Sequence, residues 1–397
     1  MKEYRLGDII TIKHGYAFDG EHIVQEDNGI VLVTPGNFRI GGGFQEEKCK
    51  FYSGEIPDGY VLSSGDFIVT MTDLSKTIDT LGYSALVPES DNRVYLHNQR
   101  IGLVSFKAND CFPGYIYFLM RTHPYQRFIA NTSTGSTVHH TSPSKIYDYR
   151  FYAPSYEEQR EIAERMFAYE KIIKNNQRQI KLLEEAAQRL YKEWFVDLRF
   201  PGHENTKITD GIPEGWKIQT LSQIADVVMG QSPKSEFYNQ NGQGLPFHQG
   251  VGSYGTRFVV DKIYSTSFTR IAEAGSILFS VRAPVGRLNL TRNRVVIGRG
   301  LAAINRRLGK QSYLFYLLKE HFFKDDVIGN GAIFASISKD ELLAQQFTIP
   351  VSNLIEQFNV IVSDMDGRIA ELAEQVTLLI EARDRLLPKL MSGEIEV

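Results

Sequence analysis

Starting at Ile162, apolar residues recur at Met166, Tyr169, Ile173, Ile180, Leu183, Ala187, Leu190 and Trp194, an alternating spacing of four and three broken only by Asn176. That is the period of a helix burying one seam against another helix. The same spacing returns from Phe358 through Val362, Met365, Ile369, Leu372, Val376, Leu379, Leu386 and Leu390, with Arg383 as the interruption. Every position lies 196 residues after its counterpart. One such seam is also what a helix lying on a globular domain would show. Two matched copies predict two long helices that pair with each other. Each follows its own globular segment, and short connections make such helices antiparallel.

The globular segments repeat as well. Leu62-Ser-Ser-Gly-Asp66-Phe-Ile-Val69 returns as Ala272-Glu-Ala-Gly-Ser276-Ile-Leu-Phe279, and Tyr115-Ile-Tyr-Phe-Leu-Met120 as Tyr313-Leu-Phe-Tyr-Leu-Leu318. Gly135-Ser136-Thr137-Val138 with Ser142 matches Gly331-Ala332-Ile333-Phe334 with Ser338, and Phe151-Tyr-Ala-Pro154 matches Phe347-Thr-Ile-Pro350. The order is the same in both copies, the signature of a duplicated unit. Ile30–Val33, Phe67–Thr70, Ile101–Val104, Ile277–Ser280 and Leu301–Ile304 are short β-type runs bounded by turn residues. Pro113–Met120 and Ser312–Lys319 predict short buried helices. The expected fold class is therefore α/β (α+β): two mixed α/β domains in tandem repeat, separated by two long antiparallel coiled-coil helices. The boundaries are 1–154 and 199–350 for the domains, with a linker at 199–215, and 155–198 and 351–397 for the helices.

Composition bounds the function classes. At 397 residues with 42% hydrophobic side chains, the chain supports two folded cores. Its two cysteines, Cys49 and Cys111, have no disulfide or zinc spacing, and neither a signal segment nor a membrane-length apolar run occurs. A cytoplasmic protein with no membrane association is expected. The net charge of −3 hides a segregation. From Thr256 to Lys310, eleven Lys/Arg face two acidic residues, net +9; from Val351 to Val397, four face nine, net −5. The basic stretch points to nucleic acid.

Catalytic constellations are absent. Leu308-Gly-Lys-Gln-Ser312 resembles the end of a phosphate loop, but Ile304 stands where its upstream glycine belongs. No Asn-Pro-Pro-Tyr or Asp-Pro-Pro-Tyr stretch and no GxGxxG occurs, and His139-His140 has no companion metal ligands. No catalytic residue, metal or cofactor is expected in this chain.

Reading DNA needs Arg and Lys for phosphates and guanine edges, Asn and Gln for adenine, and Ser and Thr as adaptable donors. The first half offers Lys76, Arg93, the run His97, Asn98, Gln99, Arg100, and the Thr134–His140 loop with Ser136, Thr137, His139 and His140. The second offers Gln231, Lys234, Gln249, Arg257, Arg282, Arg287, Arg292, Arg294 and Arg299, with Ser336 and Ser338. Any one of these arginines could equally be a solvated surface residue, and the Gly135 and Gly331 loops could equally be tight turns.

The chain resembles the specificity subunits of type I restriction-modification systems along its whole length. The resemblance rests on Tyr-Glu-Glu-Gln159-Arg-Glu-Ile162 opening the first long helix, echoed by Leu-Ile-Glu-Gln357, and on Glu193-Trp194-Phe195-Val196-Asp197 ending it. Ile212-Pro-Glu-Gly-Trp216-Lys with Leu221-Ser-Gln-Ile224 opens the second domain, and Tyr4-Arg-Leu-Gly-Asp8-Ile9 the first.

The resemblance implies a non-catalytic subunit whose two target-recognition domains each bind half of a split double-stranded DNA target. The helices act as a spacer; about 35 residues at roughly 1.5 Å each span on the order of 50 Å. It further implies partners: two modification (methyltransferase) subunits with S-adenosylmethionine, and restriction (endonuclease and translocase) subunits that use ATP and Mg. The expected docking surface for the modification subunits is the helices and their ends near Trp194 and Leu390. A self-contained enzyme with degenerate motifs, or a coiled-coil scaffold without DNA function, are the alternative readings.

Overall fold

In the computed structural model, residues 1–75, 77–107, 109–322 and 336–395 are described. Helix and sheet are mixed throughout. The chain divides into two compact units, residues 1–174 with 377–397, and residues 175–376. Each unit combines one sheet-rich domain with a stretch of both long helices.

In the first unit a four-stranded sheet runs in the order Ile10–His14, Ile101–Phe106, Phe67–Thr70, Ser84–Leu86. A five-stranded sheet runs Ile23–Val24, Lys50–Tyr52, Ile30–Val33, Val94–His97, Val61–Leu62. The second unit repeats both orders: Ala225–Met229, Leu301–Arg306, Ile277–Ser280, Leu288–Leu290, and Tyr238–Asn239, Tyr264–Ser265, Leu245–His248, Val295–Ile297, Ile271–Ala272. In each five-stranded sheet one neighbouring pair is parallel, Ile30–Val33 with Val94–His97 and Leu245–His248 with Val295–Ile297. The short helices fall where the apolar runs predicted them, at Pro113–Leu119 and Gln311–Phe322. Their aromatic faces are sealed: Tyr115, Phe118, Tyr313 and Tyr316 are fully buried. Each domain is closed by an antiparallel pair between its opening and closing strands, Lys2–Arg5 with Arg150–Ala153 and Lys217–Thr220 with Gln346–Ile349.

The first long helix spans Tyr156–Phe195 and the second Ser352–Ser392. Ser155 starts the first as a capping residue: its hydroxyl and N–H donate to the Glu158 carboxylate, and the Glu158 N–H returns a bond to its oxygen. Gln159, fully buried, then pins the helix to the domain, accepting from the Phe112 N–H at 3.0 Å and donating to the Pro154 carbonyl at 2.9 Å. Gln357 is exposed, so the echo seen in sequence is not a structural equivalent; buried Ile355 stands 196 residues after Gln159.

Within each unit the helices are antiparallel. In the second, Ile180 packs with Ile369 and Leu372, the Asn176 amide donates to the Gln375 side chain at 3.1 Å, and Trp194 meets Phe358. In the first, Ile162, Ala163 and Met166 share a core with Leu387, Leu390 and Met391. Burying a ring such as Phe358 contributes on the order of 2 kcal/mol. Among the described residues no helix is long and apolar enough to cross a membrane.

Trp194, 8% exposed, packs edge-on against Phe195 and Phe358, and Leu390, 5% exposed, lies in the core of the first unit. Neither is free to face a partner, which corrects the expectation drawn from them. The same apolar character that suggested a docking surface completes the seam ends.

Candidate nucleic-acid interface

Glycines build the same crossing in both units. A Cβ on Gly15 would lie 2.2 Å from the Asn98 carbonyl oxygen, and one on Gly230 would lie 2.1 Å from that of Gly298. Real Cβ atoms do not approach so closely, so only glycine lets these two segments cross. Matching hydrogen bonds hold the crossing: Tyr16 N–H to the His97 carbonyl at 2.8 Å and Gln231 N–H to the Ile297 carbonyl at 2.9 Å. The next strand joins through Met71 N–H to the Arg100 carbonyl and Val281 N–H to the Gly300 carbonyl, both 2.9 Å. A last loop joins through Thr141 N–H to the Met71 carbonyl at 3.0 Å and Ile337 N–H to the Val281 carbonyl at 2.9 Å. Thr72 pairs with His140, and Arg282 with Ser336.

Two equivalent clusters of loop residues result. The first unit gathers Tyr16, Thr72, Gln99 and His140; the second gathers Gln231, Gln249, Arg282, Arg299 and Ser336. Five residues chosen from sequence in the second half are thus brought to one place. Gln249, Arg282 and Arg299 line a notch of about 160 Å³ floored by Gly250 and Gly300. Neither arginine forms an ion pair among the described residues. Lys234 and Arg287 are exposed nearby, on the segment after Gln231 and on the turn that pairs with Ser280.

In the first unit, Gln99 and Arg100 are exposed, while Asn98 shapes their turn by accepting the Arg100 N–H at 3.0 Å. His97 is buried, with its Nε2 2.9 Å from the Ile101 carbonyl oxygen, and burial lowers its pKa. It supports the turn and does not face outward. The His140 ring lies 3.2 Å from the Thr72 hydroxyl. His139 is half-buried and pairs with Asp73, and Ser136 and Thr137 are exposed on the loop between. Gly135 has φ +103° and no room for a Cβ, so this glycine is a tight turn.

Asp73 organises the neighbouring loop. It is 1% exposed, and its carboxylate accepts from the Ser75 N–H at 2.5 Å and from the Thr80 N–H and hydroxyl at 2.6 Å each. Burial pushes its pKa up, but these donors outweigh burial and hold it below the usual value.

Other candidates lie elsewhere. Arg93 is held by Asp27 at 2.7 Å and Glu46 at 2.8 Å. Arg294 pairs with Glu273 at 3.1 Å, and Arg292 lies over the Phe258 ring with a 3.4 Å bond to the Ala370 carbonyl. Ser338 caps the helix Lys339–Leu343, accepting from the Glu341 N–H. Arg257, 3% exposed, corrects the expectation of a loop cation: it lies inside, between Asp366 and Glu184. Lys76 and the Gly331–Phe334 run lie outside the described residues. Tyr16, 42% exposed, was not singled out by sequence, yet Gly15-Tyr16 and Gly230-Gln231 are the same step of the two repeats.

A duplicated sheet domain, loop clusters rich in Arg, Gln, Thr and His, and paired long helices define a DNA-reading subunit. The family model described as Type I restriction modification DNA specificity domain matches twice, over residues 1–185 and 213–382. The chain belongs to this family, the non-catalytic DNA-recognition component of type I restriction-modification systems.

The MjaX specificity subunit of Methanocaldococcus jannaschii is 28% identical over 347 residues, 85% of this chain and 80% of that one. The MjaIX specificity subunit of the same organism is 26% identical over 299 residues, 71% and 69% of the two chains. The crystal structure of a type I restriction-modification S subunit from M. genitalium shares the fold, with a TM-score of 0.60 at 15% identity over 98% of this chain and 96% of that one.

Proposed function

We propose that each unit reads one half of a bipartite double-stranded DNA target through its loop cluster, and that the long helices set the unspecified gap between half-sites. The doubled glycine crossing carries this reading: one backbone frame occurs twice, presenting Tyr16, Gln99 and His140 in one copy and Gln231, Arg299 and Ser336 in the other. A shared frame with different side chains suits two half-sites of different sequence. The first long helix, 40 residues at about 1.5 Å each, is about 60 Å long against about 34 Å for a turn of B-DNA.

The chain works in the cytoplasm with two modification (methyltransferase) subunits, which hold S-adenosylmethionine, and with restriction subunits, which use ATP and Mg. It binds no cofactor itself. The modification subunits dock along the long helices, where Leu182 and Leu378 are 54% and 57% exposed at the 196-residue repeat offset. Two equivalent apolar positions in one chain suit two copies of one partner.

Selection from a randomised duplex pool by the purified complex tests the reading. Two enriched blocks separated by a gap of fixed length support it. A single block, or equal binding to all sequences, overturns it. Leu182→Asp and Leu378→Asp together are expected to lower retention of the modification subunit in pull-downs, and full retention overturns the docking assignment.

A further inference from the structure

We propose that residue 99 in the first unit and residue 299 in the second are one specificity-determining position of the repeated frame, with Gln99 taking an adenine edge and Arg299 a guanine edge. This rests on the reading that the loop clusters face DNA.

The two side chains start from equivalent backbone. Each follows a residue whose carbonyl accepts the N–H three residues further on, Ile101 to Asn98 at 2.9 Å and Leu301 to Gly298 at 3.0 Å. Each turn crosses over its glycine, Gly15 or Gly230. The turns are braced by different groups. In the first, the Asn98 side chain accepts the Arg100 N–H at 3.0 Å; in the second, where Gly298 has no side chain, the Ser232 hydroxyl accepts the Arg299 N–H at 3.3 Å. The turn is preserved and the outward side chain exchanged, as expected if that side chain carries the difference in target.

Both side chains are exposed. A glutamine amide presents one donor and one acceptor side by side, complementary to adenine N7 and N6; a guanidinium presents two parallel donors, complementary to guanine N7 and O6. The donors of Arg299 are not neutralised. Arg294 and Arg307 are held by Glu273 and Asp226, whereas Arg299 has no ion pair among the described residues. Gln249 shares its notch, placing an amide next to the guanidinium, so the notch presents base-reading chemistry beside its cations.

The test is to make Gln99→Arg and Arg299→Gln separately in the full chain, assemble each with the modification subunit, and determine the methylated motif by single-molecule sequencing of host DNA. Gln99→Arg is expected to convert one A·T pair of one half-site to G·C. Arg299→Gln is expected to convert one G·C pair of the other half-site to A·T. Discrimination at that pair should change by roughly ten- to a hundred-fold, with the opposite half-site and the melting temperature unchanged.

Methylation of the original motif at the original rate overturns the assignment. So does a uniform loss of affinity with a salt slope shallower by about one, which marks a phosphate contact, and so does simultaneous decay of both half-sites. These outcomes leave the bipartite reading standing. If the unaltered complex yields no split motif, that reading fails together with the assignment.

Discussion

Arg257 donates to the Asp366 carboxylate at 2.6 Å from a side chain only 2% exposed. Its guanidinium carbon lies 3.6 Å from the centre of the Phe315 ring, and Glu184 adds a second acid at 3.7 Å. The first unit contains a counterpart made from different parts. Glu170, 196 residues before Asp366, pairs with buried Arg121, which comes from the segment after the short helix. In both units a guanidinium anchored among aromatic rings joins the sheet domain to an acid on a long helix.

Removing that cation strands its acids. Arg257→Met keeps an apolar stem over Phe315 but leaves Asp366 with only the Tyr316 hydroxyl and Glu184 with Lys319 to offset burial, which already raises the Glu184 pKa despite opposition from Arg257 and Lys319. The variant is expected to lose about 3 kcal/mol, seen as a lower midpoint in chemical denaturation. An unchanged midpoint contradicts the role given to this pair.

Asp73 predicts a pH dependence. Its folded pKa lies below the ordinary value of 3.8, so its contribution is fully present above that value and is lost as pH falls through the folded value. Asp73→Asn is expected to cost about 2 kcal/mol at neutral pH, with the difference from the unaltered chain shrinking below pH 3.8. Urea denaturation at pH 7 and pH 3 checks this; a difference independent of pH contradicts it.

Asn176 is a polar residue in an apolar seam, 5% exposed and bonded to Gln375. Polar groups at such positions specify register at some cost in stability. Asn176→Leu is expected to raise stability by roughly 1 kcal/mol and to loosen the preferred gap between half-sites. An unchanged melting temperature and an unchanged target contradict both parts.

Gly15→Ala and Gly230→Ala force a Cβ onto a backbone carbonyl, and each is expected to cost about 2 kcal/mol. Because each glycine serves one cluster, Gly15→Ala should degrade one half-site and Gly230→Ala the other. Duplex selection with each variant shows this directly. Equal degradation of both half-sites by one substitution contradicts the assignment of one cluster to each half.

The long helices were legible because a 3.5-residue period is a local signal, and their kinship was legible because each seam position recurs 196 residues later. The short strands were visible too, but not their order across the sheets. Pairs such as Phe106 with Ile10 join residues far apart in sequence, and no local pattern encodes that. The candidate interface was half legible. Residue type selected Arg282 and Arg299, which converge, and equally Arg257, which is buried, since charge does not reveal whether an acid on another element awaits it. Tyr16 escaped because an aromatic after a strand has the character of a core residue. The glycine beneath it shows its place only when the crossing backbone is seen.

Whether one duplicated frame reads two different half-sites is decided by co-expressing the chain with its modification subunit and sequencing host DNA for methylated adenine. A split motif is predicted: two short blocks of different sequence, a fixed unspecified gap, and one methylated adenine on each strand. A continuous motif, or a stable complex that methylates no motif, contradicts the account.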